Sequence, residues 1–183
     1  MKRLLVLVIV AMLSLPVLRA QESTLELGDK VVGVGIGFGS SLYSGAYYSM
    51  GMPPISVFYE QAIVDDILEK GVIGVGGTMG YTSFKYRYSS WGYNLSTFFI
   101  GGSGAFHYPF VDKLDTYAGV TLGLRFIFQN DYGDPIYDYG GSSTGFQFAG
   151  FIGARYYFTD NIAAFLQLGY GIAYVNLGIS IKL

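Results

Sequence analysis

The sequence predicts an all-β protein, specifically an eight-stranded antiparallel up-and-down transmembrane β-barrel. Three observations lead to this prediction: eight segments in which apolar residues alternate, connections that alternate between long and short, and a leading segment typical of exported proteins. Successive side chains of a strand point to opposite faces, so alternation gives each strand one apolar and one polar face. In a membrane barrel the apolar faces meet lipid and the polar faces line the lumen.

The first four strands follow from alternation in the N-terminal half. In 31–41, Val, Ile and Phe alternate with glycines, and such a run disfavours a helix. No helix pattern follows the glycines at 35–39, so a phosphate-binding loop is disfavoured. In 55–62, Ile, Val and Tyr alternate with Ser, Phe and Glu. In 72–83 and 94–108, bulky apolar residues alternate with Gly, Ser and Thr.

The last four strands show the same pattern. In 115–128, Ala, Val, Leu and Phe alternate with Tyr, Gly, Thr and Arg, and in 145–158, Phe, Ile and Tyr alternate with Gln, Ala, Gly and Arg. A Thr-Asp turn leads to the strand 161–171, and a short connection leads to 174–183. An even number of strands of about ten residues each fits a barrel that crosses a bilayer.

The distribution of charge decides which face is outside. Nearly all the charged side chains within the predicted strands share the Gly-rich face: Glu60, His107, Arg125, Arg155 and Lys182. A soluble barrel would carry Lys and Glu on the opposite, water-facing side and would enclose its apolar residues. The sequence therefore predicts a lumenal polar network of these five residues, with Glu60 paired to Arg155, to Lys182 or to both.

Composition limits the function classes. The chain has 183 residues, a net charge of -2 and 13% charged residues, which is enough for one domain and too little basic charge for nucleic-acid binding. It has no cysteine, so it can form no disulfide and carry no lipid on an N-terminal cysteine.

The N-terminus reads as a signal peptide covering residues 1–20. Lys2 and Arg3 precede the apolar run Leu4–Leu18, and Ala20 provides a small residue before a cleavage site. The run is too short for a transmembrane helix of about twenty residues. We therefore expect a mature chain of residues 21–183 that forms a single barrel domain.

Three long connections, 42–54, 84–93 and 129–144, are rich in tyrosine and are expected to be extracellular loops. Tyrosine and tryptophan give rigid, amphipathic contact surfaces, which binding sites favour. The residues predicted to make surface contacts are Tyr43, Tyr47, Tyr48, Trp91 and Tyr137. Three aspartates in the third connection match no calcium-binding loop, so no metal site is predicted.

The mature chain resembles the small eight-stranded outer-membrane proteins, the OmpA transmembrane-domain and OmpX-like group. Its ending is similar to the signal that the β-barrel assembly machinery reads, with the pattern filled by Asn176, Gly178, Ile181 and Leu183. Leu183 stands where the family usually has an aromatic residue. The resemblance implies a place in the bacterial outer membrane. It also implies outer-membrane lipids, lipopolysaccharide and the assembly machinery as partners, with no cofactor and no nucleic acid.

Three functions remain open at this stage. The first is a structural or surface-interaction role, with a lumen plugged by inward side chains, since eight strands leave a lumen just wide enough for them. The second is a narrow porin-like channel for small ions or solutes. The third is a lipid-A-modifying enzyme, which would need a nucleophile and a base near the outer leaflet. The one histidine, His107, is expected in the lumen at the periplasmic end, so no catalytic residue is predicted.

Overall fold

The computed structural model describes residues 24–43, 45–88, 91–133 and 141–183. Its eight strands are β1 Lys30–Phe38, β2 Tyr48–Ile67, β3 Gly71–Tyr88, β4 Trp91–Val111, β5 Leu114–Tyr132, β6 Gly141–Tyr157, β7 Ile162–Tyr170 and β8 Val175–Lys182. Each strand pairs antiparallel with the next, and β1 pairs with β8 to close the barrel. The predicted fold class is confirmed, whereas the predicted signal peptide lies outside the described residues.

The outer surface is apolar. Leu122, Leu166 and Ile179, taken from three different strands, are 50%, 44% and 56% exposed. In β1, exposed and buried residues alternate strictly, and the buried set is Val31 with three glycines. The Gly-rich faces of the strands therefore point inward, as predicted, and the opposite faces form a ring of apolar side chains on the outside. No helix among the described residues is both long and apolar enough to span a membrane.

Strand lengths differ from the prediction. β2 to β6 run for 17 to 21 residues, and much of the three predicted Tyr-rich loops is strand. β3 and β4 pair up to Tyr88 and Trp91, so the connection between them is only two residues long. The loop prediction was wrong because apolar alternation marks only the part of a strand that faces lipid. Backbone pairing continues beyond it with aromatic and polar side chains.

The wall of the barrel is uneven in height. β1, β7 and β8 have only eight or nine residues, so β7 covers β6 only from Gly150 onward and β1 covers β2 only up to Ile55. The upper parts of β2 to β6 therefore project as an open sheet at the end opposite the chain termini. We call this sheet the extension; its two free edges are residues 48–54 of β2 and 141–149 of β6.

Candidate functional sites in the lumen and on the extension

Four inward side chains meet near the end of the lumen at which the chain termini lie. Glu60 comes from β2, His107 from β4, Asp115 from β5 and Arg155 from β6. The sheet register brings them together, because Asp115 lies directly opposite Arg155 and His107 lies opposite Tyr117, two residues further along the same face of β5. We call these four residues the charge ring.

The charge ring is closed, and its charges alternate. His107 Nε2 lies 2.6 Å from Glu60 Oε1, and His107 Nδ1 lies 2.9 Å from Asp115 Oδ2. Arg155 donates to the same two carboxylates, from Nη2 to Glu60 Oε2 at 3.0 Å and from Nη1 to Asp115 Oδ2 at 3.3 Å. Each carboxylate therefore contacts both basic groups, and each basic group contacts both carboxylates.

Hydrogen-bond geometry sets the charge of His107. Both of its ring nitrogens face carboxylate oxygens, and an ionised carboxylate can only accept. Both nitrogens must then donate, which makes His107 an imidazolium and the charge ring neutral, with two positive and two negative members. Because Asp115 and Arg155 are 0% and 1% exposed, this neutrality is what makes their burial tolerable.

Aromatic rings flank the charge ring. The guanidinium carbon of Arg155 lies 5.2 Å from the ring centroid of Tyr117 and 5.7 Å from that of Phe58. Tyr117 also packs over the backbone of Gly153, where an added Cβ would come within 2.5 Å of the phenol ring. The glycine thus makes room for the aromatic residue that covers the charged group.

The structure brings together three of the five predicted network residues. Glu60, His107 and Arg155 meet, while Lys182 lies at the rim that carries the chain termini, where its Nζ is 3.2 Å from the carbonyl oxygen of Thr24 and 3.5 Å from Asp29 Oδ2. The predicted option of a Glu60–Lys182 pair was wrong, because Lys182 instead contacts Thr24 and Asp29 of the N-terminal segment.

Arg125 also lies outside the charge ring, towards the end of the lumen away from the chain termini. It faces Phe99 and Gly145 across the sheet, and within the described residues its buried Nε has no hydrogen-bond partner.

Asp115 is the member of the charge ring that the sequence analysis missed. The sequence did contain a signal for it, because Asp115 lies two residues before the inward Tyr117 and therefore on the same face. However, Asp115 is the first residue of the predicted strand, where alternation does not yet define a face.

An apolar layer adjoins the charge ring, with Val31 directly opposite Glu60 and Val72 directly opposite His107 in the sheet register. Leu25, Val31, Ala62 and Val72 pack together, each at most 2% exposed. Leu25 is held there because the N-terminal segment pairs with β2, with Gly28 N donating to Ala62 O at 3.0 Å and Ala62 N donating to Asp29 O at 2.9 Å. Leu25 and Ala62 extend the apolar layer from the charge ring towards the chain termini.

Above the charge ring is a cavity of about 100 Å³. Aromatic side chains including Phe58, Phe99 and Tyr117 line it together with small polar ones. Asn176, part of the predicted assembly signal, lies in its wall and donates from Nδ2 to Ser56 Oγ at 3.0 Å. A cavity of this size has room for several water molecules.

The rest of the predicted assembly signal lies along β8. Gly178 packs against the inward ring of Phe165 and leaves no room for a side chain. Ile181 and Leu183 are 47% and 70% exposed on the outer face. The four signal residues are thus divided between the lumen and the lipid-facing surface.

The extension carries a continuous group of aromatic rings on the face that continues the lumen wall. We call this group the aromatic platform; its members are Tyr43, Tyr47, Tyr48, Phe84, Tyr86, Tyr88, Trp91 and Tyr93. The register explains it, since Tyr86 lies opposite both Tyr48 and Tyr93, and Tyr88 lies opposite Trp91. Of the predicted contact residues, Tyr43, Tyr47, Tyr48 and Trp91 belong to the platform, while Tyr137 lies outside the described residues.

The platform is tightly packed at its base. Tyr86 and Tyr93 stack with centroids 4.7 Å apart, and the hydroxyls of Tyr48 and Tyr93 lie 2.9 Å apart. Burial and the hydrogen bond from Tyr48 raise the pKa of Tyr93 above its ordinary value. At the tip, Tyr47 and Tyr88 are 54% and 49% exposed.

Comparisons with known proteins agree with the fold. No family model matches the sequence, and no curated protein matches it significantly. Among solved structures, the attachment invasion locus protein Ail of Yersinia pestis is similar, with 13% identity, a TM-score of 0.51 and coverage of 86% of this chain and 96% of Ail. Ail in complex with the heparin analogue sucrose octasulfate gives the same identity and coverages with a TM-score of 0.52. The N-terminal barrel domain of Pseudomonas aeruginosa OprF has 14% identity, a TM-score of 0.46 and coverages of 86% and 98%.

Proposed function

We propose that this protein is exported to the bacterial outer membrane and acts there in surface interactions, through the aromatic platform on its extension. The observation that carries the proposal is the uneven wall. Five long strands carry the aromatic platform above an apolar belt, and at its tip, beyond the reach of the three short strands, Tyr47 and Tyr88 are 54% and 49% exposed. Exposed Tyr and Trp side chains on a rigid sheet lose little conformational entropy on binding.

We further propose that the lumen is closed at its periplasmic end and does not conduct. The neutral charge ring and the apolar layer that adjoins it support this, because an ion entering from either side would have to displace paired charges or dehydrate against Leu25 and Val72. The role of the charge ring is then structural, joining β2, β4, β5 and β6 across the lumen.

A narrow channel is the second candidate, favoured by the cavity directly above the charge ring. Planar-bilayer recordings separate the two functions. The closed lumen predicts no stable conductance from the wild type, and long-lived openings would refute it.

An enzymatic role has little support among the described residues. Both nitrogens of His107 are occupied by carboxylates, so neither is available to activate a nucleophile. Mass analysis of lipid A from cells with and without the protein tests this directly, and any change in acylation would overturn the proposal.

Lipopolysaccharide, outer-membrane lipids and the assembly machinery remain the proposed partners of the barrel itself. The exposed outer residues Ile181 and Leu183, next to the inward Asn176 and Gly178, supply the alternating ending that the assembly signal requires. Replacing Leu183 with Phe, the aromatic residue usual in the family, should leave assembly unchanged or improve it. Replacing Ile181 with Asp should lower the amount of folded barrel in the membrane.

The surface role is tested with cells that display the protein. A Tyr47→Ala, Tyr88→Ala, Trp91→Ala triple variant should lose adhesion to host cells or extracellular matrix. A matched Tyr156→Ala, Phe158→Ala variant, altered near the periplasmic turn, should keep it. Equal adhesion of all three proteins would argue for a purely structural function.

A further inference from the structure

The tip of the aromatic platform differs from its base. Tyr47, Tyr88 and Trp91 lie at the outer end of the extension, with centroids 5.4 Å apart for Tyr47–Tyr88 and 6.2 Å apart for Tyr88–Trp91. These rings meet at interplanar angles of 69° and 58°, so they do not cover each other's faces as the stacked pair Tyr86–Tyr93 does. With Tyr47 and Tyr88 about half exposed, ring faces remain open to a ligand.

The charges around the platform restrict the ligand. Lys85 and Arg87 alternate with Tyr86 and Tyr88 along β3 and therefore lie on the opposite face of the sheet. On the platform's own face, the adjacent strand β5 contributes Gln129 and Asp131, whose side chains are joined by a 3.0 Å hydrogen bond. The cation of β5 on this face, Arg125, lies six residues before Asp131 and therefore far below the tip. A polyanion would meet no cation among the residues of β3 and β4 that form this face, and would meet a carboxylate beside it.

We propose that the tip of the platform binds an uncharged carbohydrate, with sugar rings stacked on Tyr47, Tyr88 and Trp91. The C–H groups on one side of a pyranose are weakly positive and fit the negative face of an aromatic ring. Phenol hydroxyls and the Gln129–Asp131 pair then provide hydrogen-bond partners for sugar hydroxyls. This inference rests on the proposed surface-binding function and names the class of ligand.

The same face is a poor site for a peptide. β3 and β4 are central strands whose backbones pair along their full length up to Tyr88 and Trp91, so they offer side chains and no free backbone groups. A peptide that needs main-chain partners would bind to the free edges of the extension on β2 or β6.

Trp91 is the only tryptophan in the chain, so its fluorescence reports directly on the site. The mature protein in nanodiscs is titrated with cellohexaose, chitohexaose and maltohexaose, and separately with heparin as a sulfated polyanion. We expect a saturable change in Trp91 emission with at least one neutral hexasaccharide and none with heparin. Tyr88→Ala should weaken that binding by about three- to tenfold, the loss expected for one aromatic contact.

Two controls keep the result interpretable. Tyr88→Phe retains the ring and should bind within about twofold of the wild type, which shows that stacking is involved even if Tyr88→Ala is poorly folded. Tyr156→Ala, at the far end of the barrel, should bind as the wild type does. The inference is overturned if none of the three neutral sugars changes Trp91 emission, if heparin alone does so, or if Tyr88→Phe and Tyr88→Ala bind like the wild type.

Adhesion separates failure of the inference from failure of the proposed function. If the triple platform variant loses adhesion while no neutral sugar binds, the ligand class is wrong and the surface role stands. If adhesion does not depend on the platform, the proposed function itself fails.

Discussion

Removing one member of the charge ring should be far more damaging than removing any other strand cation. Arg155→Met leaves Glu60 and Asp115 with His107 alone, so the buried group changes from neutral to a net charge of −1. Arg155 is 1% exposed and sits 3.0 and 3.3 Å from its two carboxylates, so both would lose a partner without gaining access to water. We expect a loss of about 3–5 kcal/mol in the free energy of unfolding, the range for breaking a buried ion pair.

The assay is reversible urea unfolding in lipid vesicles, followed by far-ultraviolet circular dichroism. Lys182→Met is the matched control, because its ion pair with Asp29 is about one-quarter exposed and should contribute only about 0–1 kcal/mol. The double variant Asp115→Asn, Arg155→Met restores neutrality through the remaining Glu60–His107 pair, so it should lose less than the sum of its two single variants. Two results would show that the charge ring does not act as one electrostatic unit. The first is that Arg155→Met lowers the free energy of unfolding no more than Lys182→Met does. The second is that the double variant loses as much as the Asp115→Asn and Arg155→Met single variants together.

Three further predictions test other parts of the molecule, the first of them with a control variant. Gly153→Ala should destabilise the barrel by about 1–3 kcal/mol in the same assay, because Tyr117 must leave the space over the glycine, whereas Gly141→Ala, with nothing within 4 Å of its added Cβ, should be close to neutral. Leu25→Ala should cost about 2–4 kcal/mol by leaving a cavity in the apolar layer, and planar-bilayer recordings on this variant should show more frequent brief openings than the wild type if that layer seals the lumen. Tyr48→Phe should lower the pH at which Tyr93 ionises in an alkaline ultraviolet titration, since it removes a hydrogen bond that raises that pKa; an unchanged titration would contradict the contact.

Much of the fold could be predicted because a barrel strand has an obligatory period of two. Alternation, together with the distribution of charge between the two faces, assigned Val34 and Leu122 to the outside and Glu60 and Arg155 to the inside, and the structure agrees on each. Strand ends were less predictable. The apolar signal stops where lipid stops, while the hydrogen-bond ladder of β3 and β4 continues to Tyr88 and Trp91.

The sequence by itself determined the fold class, the direction in which each strand face points, and the presence of charges in the lumen, because these depend only on the order of residues along single strands. The tertiary structure decided which charges meet. Asp115 lies beside Glu60, His107 and Arg155 because cross-strand register and barrel closure place four strands around one point. Lys182 instead donates a hydrogen bond to the N-terminal segment. The tertiary structure also decided that tyrosines in separate predicted connections form one platform, because the pairing of β2, β3 and β4 beyond the apolar belt places them side by side on one face.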